Sequence, residues 1–371
     1  MLRLALISPF FPLKGGIAHF SGLLAAAFRR QGDEVFPIPF KSLYPRWLVP
    51  TPELLVAEDA RLVLYNPFTW FETLRRLNAL KPDLLLVAYW TGLLAPLCFV
   101  VRRLTGIRMV VLLHNLSSHE SLFFEPFMQR LLAVSADGFL TLSEAVANEV
   151  SAAMPAIPQL TLFHPVYELE AVPPSALEAR RQLQLDVDAP VLLFFGYVRR
   201  YKGLDILLRA MSAILQREPV LRLVVAGHFY EDVAIYRELV DELGIASSVD
   251  IYAGYVDSDR TALLFAAADA VVLPYRSATQ SGVVQLAYGH GLPVIVTPVG
   301  ALPEMVRHGE TGWIARDSSP EGCAAAVGEF LDSREKLPAM RSAIADFRRA
   351  LSWERFATST SSFLHTIAAR K

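Results

Sequence analysis

The sequence has little cysteine, little lysine and almost no net charge, and each shortage removes a class of protein. Cys98 and Cys323 are the only cysteines in 371 residues. They lie far apart, so neither a disulfide framework nor a cysteine metal site follows, and a reducing compartment is the natural setting. A formal charge of −2 argues against nucleic acid held by bulk electrostatics. Only six basic residues are lysine, and the arginines come largely in pairs, among them Arg29-Arg30, Arg75-Arg76, Arg102-Arg103, Arg199-Arg200 and Arg348-Arg349. Most pairs fall at helix ends or on solvated faces, the ordinary place for such charge. H-E-x-x-H, G-x-S-x-G, G-x-G-x-x-G and a phosphate loop ending in Gly-Lys-Ser/Thr are all missing. Zinc, serine-hydrolase and nicotinamide-dehydrogenase readings therefore have no support.

A membrane span is also missing. Leu84 to Val101 runs eighteen residues without a charge, the lower limit for a span. Asp83 opens it, Thr91-Gly92 interrupts it and Pro96 falls near its middle, so it divides into a strand (LLLVAYW) and a helix (LLAPLCFVVRRL). The start, MLRLALISPFFPL, is broken early by proline and reads as a first strand rather than a signal peptide.

What is present is a chain 53% hydrophobic and 19% charged, long enough for two domains. Apolar strands near 2–9, 33–40, 61–66, 83–90, 108–114, 137–142 and 158–163 alternate with helices in the first half. The rhythm repeats with strands near 191–197, 221–227, 249–254, 269–274, 292–297 and 311–315. This alternation predicts an α/β fold, two Rossmann-like doubly wound domains facing each other across a cleft. Pro165, Pro173 and Pro174 mark PVYELEAVPPSALEARRQL as a linker. The final LSWERFATSTSSFLHTIAARK reads as a helix.

Ligands of such folds sit in loops after strands, and four loops stand out. Gly15-Gly16 precede a helix, as a plain turn or as a backbone cradle for an anion. GYVRRYKGLDILLRA sets Arg199, Arg200 and Lys202 before a helix start. Cations there oppose the macrodipole, and they make sense if a diphosphate binds. His114 closes the strand MVVLL, as a structural donor or a group facing ligand. In TQSGVVQLAYGHGLPVIVT, Thr279, Gln280, Ser281 and Gly282 open a helix with no acidic residue. Glycine in that first turn suits a ligand touching backbone. The carboxylates of DSD at 257–259 read as helix caps rather than metal ligands.

Taken together and in order, GYVRRYKGLDILLRA, LRLVVAGH, ADAVVLPYR, SGVVQLAYGHGLPVIVTPVGALPEMVRHGETGWIA and LSWERFA resemble the group 1 glycosyltransferases (family 4), retaining enzymes of the GT-B fold. The resemblance covers nearly the whole chain. It implies that residues 1–168 form the acceptor-side domain, with 353–371 crossing back to it, and that 169–352 bind the nucleotide sugar. Arg199 and Lys202 match the basic pair that holds the donor diphosphate, Gly15 and Gly16 the glycine loop, and His114 the histidine near the transferred sugar. Glu304 and Gly312 match the G-x-x-E…G-x-x-G run. The family's two glutamates, eight positions apart, are absent. Thr279 or Gln280 stands at the first, and Gln285 or Leu286 at the second. An amide bonds hydroxyls without the charge-assisted strength of a carboxylate.

The implied activity moves a sugar from a nucleotide-diphosphate donor to an acceptor hydroxyl, in polysaccharide, lipopolysaccharide or glycolipid synthesis. It needs no metal and no cofactor beyond the donor substrate. The implied setting is cytoplasmic. A sugar-nucleotide epimerase would need cleft carboxylates, and Glu304 with Glu120 is the one pair on offer. The missing glutamates admit a catalytically silent binding subunit. The acceptor is a saccharide or a lipid-linked one. FKSLYPRWLVP (40–50) mixes Lys41, Tyr44, Arg46 and Trp47, as a peripheral contact with the inner membrane face or as a loop packed on its own domain.

Overall fold

The computed structural model describes residues 1–13, 15–44, 59–116, 124–167, 169 and 172–370. The first strands are β1 (Arg3–Ser8), β2 (Glu34–Ser42), β3 (Leu62–Val63), β4 (Leu84–Tyr89), β5 (Met109–Leu113), β6 (Gly138–Thr141) and β7 (Gln159–Thr161). Helices α1 (Gly16–Arg30), α2 (Trp70–Leu80), α3 (Ala95–Thr105), α4 (Glu125–Ala133) and α5 (Glu144–Ala153) alternate with them. The strands pair in parallel in the order β3-β2-β1-β4-β5-β6-β7. Strand β4 reads LLLVAY and is buried at every position, because helices cover both faces of a parallel sheet. Pro96 sits in the first turn of α3, where a missing N–H costs nothing. The uncharged run thus divides into β4 and α3. Among the described residues no helix is long and apolar enough to cross a membrane.

The chain continues through α6 (Ala176–Gln182), β8 (Val191–Phe195), α7 (Leu204–Arg217), β9 (Arg222–Gly227), α8 (Val233–Glu242), β10 (Val249–Ala253) and α9 (Ser258–Ala267). Then follow β11 (Ala270–Leu273), α10 (Gly282–Gly289), β12 (Val294–Val296), β13 (Gly312–Ile314), α11 (Pro320–Asp332), α12 (Leu337–Ala350) and α13 (Trp353–Ala369). The second sheet is also parallel, in the order β10-β9-β8-β11-β12-β13. Successive residues of β8 feed opposite cores: Leu192 and Phe194 enter one, Val191 and Leu193 the other. The chain forms two compact units, Met1–His164 with Ser352–Lys371 and Pro165–Leu351. Helix α13 belongs to the first, where Gln31 donates to Thr358 Oγ1 at 2.6 Å.

Each sheet reverses its strand order once, between β1 and β4 and between β8 and β11. Loops diverge there and leave a crevice at the carboxyl ends of the strands. The loop before α1 opens on the first crevice. The loops after β8 and β11 flank the second.

The linker reading needs one correction. Within PVYELEAVPPSALEARRQL, residues 176–182 form helix α6, where Ser175 accepts from the Glu178 N–H at 3.2 Å. Arg180 bonds Asp269 at 2.8 Å and the Ala267 carbonyl at 3.0 Å, so α6 is fastened to the second unit. Edge strand β3 is shorter than its apolar run suggests, because a register shift between Phe40 and Ser42 breaks the pairing.

Candidate functional site

In the second unit the chain leaves β8 and enters a one-turn helix, Arg200–Lys202, that ends at Gly203. Gly203 has φ 68°, and a Cβ there would lie 2.0 Å from the Pro274 carbonyl oxygen. The basic turn can press against the end of β11 only because that position has no side chain. Arg276 locks the same junction. Its guanidinium bonds both Asp205 carboxylate oxygens, at 2.7 and 2.6 Å, and the Arg200 carbonyl at 2.9 Å. Burial alone would raise the Asp205 pKa, and the Arg276 fork more than offsets it, so the carboxyl titrates below its usual range. Gly203→Ala is expected to cost about 1–3 kcal/mol of stability, from a strained φ and the clash. Urea unfolding checks this, and an unchanged midpoint contradicts the packing described.

Lys202 turns into this junction, and Arg199 lies over a neighbouring tyrosine. The Lys202 ammonium lies 3.7 Å from the Tyr275 ring centre and 5.2 Å from that of Tyr201. The Arg199 guanidinium stacks 3.9 Å over Tyr230. Lys202 is half-buried as a residue, but its charged end is enclosed. Burial, helped by nearby Arg199 and opposed by Tyr201, lowers its pKa to about 8. Neither cation has a carboxylate partner among the described residues, whereas adjacent Arg276 has one. Two unpaired cations held together against their own repulsion are poised for an anion.

The start of α10 meets them. Tyr275, with its ring under Lys202, places its hydroxyl 3.4 Å from Ser281 Oγ, and Ser281 is the N-cap of α10. Ser281 itself makes no side-chain capping bond, and no acid lies in the first turn. Nearby α9 shows the ordinary arrangement, with Asp257 accepting from the Arg260 N–H at 2.8 Å. An acid-free helix N-terminus linked to Lys202 suits a phosphate. Thr279, Gln280 and Gly282 are partly accessible, while Ser281 and Gln285 are buried at 3% and 2% exposure. The Gln285 Oε1 has no hydrogen-bond donor among the described residues. The alternative Leu286 is half-buried against the apolar core. Glu304 is exposed, in the turn Pro303–Met305. Gly312 has a packing reason: its Cβ would fall 2.1 Å from the Val294 carbonyl oxygen.

In the first unit Gly15 precedes α1 with φ 140°, and the space above Gly15 and Gly16 is open. His114 donates its N–H to the Tyr89 carbonyl at 2.8 Å. Its ring meets Phe20 edge-on at 5.1 Å, and Phe20 also meets His164 at 5.2 Å and Trp353 at 4.9 Å. Burial first, then His164, pushes the His114 pKa down to about 3, so the imidazole is neutral near pH 7. Tyr44, from the aromatic and basic loop, accepts from Trp90 Nε1 at 3.2 Å and so packs on its own unit. Lys41 is exposed. Arg46, Trp47 and Glu120 lie outside the described residues. No group of three or more His, Cys, Asp or Glu that could hold a metal occurs among the described residues.

Fold and site define a class, two Rossmann-like α/β units with an anion-ready switch point, and solved structures share its fold. Sucrose-phosphate synthase from Thermosynechococcus elongatus matches with a TM-score of 0.77 at 20% identity, covering 100% of both chains. Anabaena HepE in complex with UDP matches at 0.76 and 17%, covering 99% of this chain and 100% of that one. The fold is GT-B. Residues 189–333 match the family described as glycosyl transferases group 1. The D-inositol 3-phosphate glycosyltransferase of Streptomyces griseus is 34% identical over 196 residues, 51% of this chain and 41% of that protein. That of Actinosynnema mirum is 28% identical over 382 residues, 92% and 89% of the two chains. The chain covers less than half the length of the first of these. By these matches residues 189–333 are similar to the group 1 glycosyltransferases, and the likeness to the Actinosynnema mirum protein runs through most of the chain.

Proposed function

We propose that the chain transfers a sugar, with retention, from a nucleotide-diphosphate donor to an acceptor hydroxyl. The observation that carries this is the link from Lys202 through Tyr275 and Ser281 to the acid-free start of α10, with Arg199 close enough to lower the Lys202 pKa. HepE, solved with UDP, supports a nucleotide donor. In the proposed step the bond from the sugar C1 to the diphosphate oxygen breaks. The acceptor oxygen bonds C1 on the same face, and its proton passes to the departing phosphate. Charge growing on that phosphate is held by the two cations and the α10 N–H groups, which supply what a divalent ion would. The family resemblance gives neutral His114 to the sugar, Gly15-Gly16 to the diphosphate, and Thr279 and Gln280 to donor hydroxyls. It also makes the first unit the acceptor side, for a saccharide or lipid-linked acceptor met at the cytoplasmic face.

The Lys202 pKa makes this reading testable. A bound diphosphate favours the ammonium and raises its pKa, so above pH 8 binding must take up a proton. Nucleotide-sugar affinity should be flat near pH 7 and weaken by up to about tenfold per pH unit above 8. Lys202→Arg, charged throughout, should remove that decline. Calorimetry at pH 7 and pH 9 decides it, and equal wild-type affinity at both contradicts the placement. Donor converted without acceptor to an epimeric nucleotide sugar would instead mark an epimerase, and donor bound without transfer a silent subunit.

A further inference from the structure

Helices α2, α3 and α4 of the first unit pack side by side over one core on the same sheet face. Each presents the same outward pattern. Phe71 on α2, 59% exposed, precedes exposed Arg75 by one turn; Phe99 on α3, 38% exposed, precedes exposed Arg103; Phe127 on α4, 58% exposed, precedes exposed Arg130. Spacings of three or four keep each pair on one side of its helix. Phe68, 84% exposed just before α2, enlarges the apolar surface. The inward faces are supplied by residues such as Leu77, Val101 and Leu132, and Phe71 and Phe127 keep more than half of their surface in solvent.

The arginine doublets divide in the same sense. Arg76 pairs with Asp59 at 3.1 Å and Arg102 with Asp137 at 3.0 Å. Their neighbours Arg75 and Arg103, like Arg130, make no ion pair among the described residues. The three helices hold five arginines against two glutamates, in a chain whose net charge is −2. Of those acids, exposed Glu72 lies 3.6 Å from Arg61. A face of phenylalanines and unpaired arginines with no free acid complements an anionic lipid surface. A second copy of the same face would set arginine against arginine across a twofold axis.

We propose that the α2–α3–α4 layer is a membrane-docking surface, with the phenylalanines at the acyl boundary of an anionic bilayer and the arginines among its phosphates. The inference does not rest on the transfer reading. Its test is co-sedimentation of the full chain with phosphatidylcholine vesicles and with vesicles of equal parts phosphatidylcholine and phosphatidylglycerol. The chain should pellet with the anionic vesicles only, and high salt should weaken this. Exchanging Arg75, Arg103 and Arg130 for Gln should lower partitioning about a hundredfold, roughly fivefold per arginine. Phe71→Ser with Phe127→Ser, the two rings more than half exposed, should sharply weaken it while the chain stays folded. The proposal fails if the chain stays in solution with both vesicles, binds both equally, or binds as wild type in both variants. It also fails if the Phe variant converts a dimer to a monomer and leaves vesicle binding intact.

Discussion

Alanine at both Arg199 and Lys202 is expected to weaken nucleotide-sugar binding by about 10²–10⁴-fold, since charge-assisted hydrogen bonds contribute about 1.5–3 kcal/mol each. Turnover should fall further, because the leaving phosphate gains charge in the transition state. The fold should not suffer. Arg199 is exposed, and Lys202 is held against its own preference. With its pKa lowered from 10.5 to about 8, the native state holds the ammonium at a cost on the order of 3 kcal/mol near pH 7. That cost fades as pH rises from 8 towards 10.5, where the unfolded chain binds more protons. Lys202→Met, which keeps a stem beneath the Tyr275 ring, should therefore be as stable as wild type or more so while losing the ligand. A pair variant that binds and turns over donor at wild-type level removes the site assignment.

Acid should destabilise the first unit through His114. Its folded pKa of about 3 lies below the ordinary 6.5, so between these values the unfolded chain binds a proton that the native chain refuses. The stability is fully present above pH 6.5 and is lost as pH falls, at about 1.4 kcal/mol per pH unit, or on the order of 4–5 kcal/mol over the window. Other groups titrate there too, including His290, whose pKa burial and Arg348 lower to about 4. The measurement is therefore a difference: urea unfolding from pH 7 to pH 4 for wild type and His114→Asn. The variant should lack one proton's share of the slope. Parallel slopes would mean that His114 titrates normally and is not the neutral group described.

Much of the fold is legible because parallel strands covered on both faces carry an unbroken apolar signal. LLLVAY, MVVLL and VLLFF lie within one or two residues of their observed bounds. Helix α6 was hidden by the prolines before it, although Ser175 and Glu178 spell a capping box. The site is legible in parts. The basic turn and the acid-free helix start stand out as local anomalies. Their connection through Tyr275 and Ser281 joins residues distant in sequence and needs the β8–β11 reversal to be seen. His164 gave no signal, since only the fold brings it to Phe20. Burial also explains part of the missing acid. Gln285 is enclosed with its carbonyl unserved, and an unpaired carboxylate there would cost far more than an amide.

The most direct test of the account is thermal unfolding of wild type and the Arg199→Ala/Lys202→Ala variant against a panel of nucleotide sugars. At a hundred times its dissociation constant, the right donor adds about 2.7 kcal/mol of stability. The account predicts that at least one nucleotide sugar raises the wild-type melting temperature and that the rise vanishes in the variant. No rise with any nucleotide sugar at millimolar concentration, or an equal rise in both proteins, would contradict it.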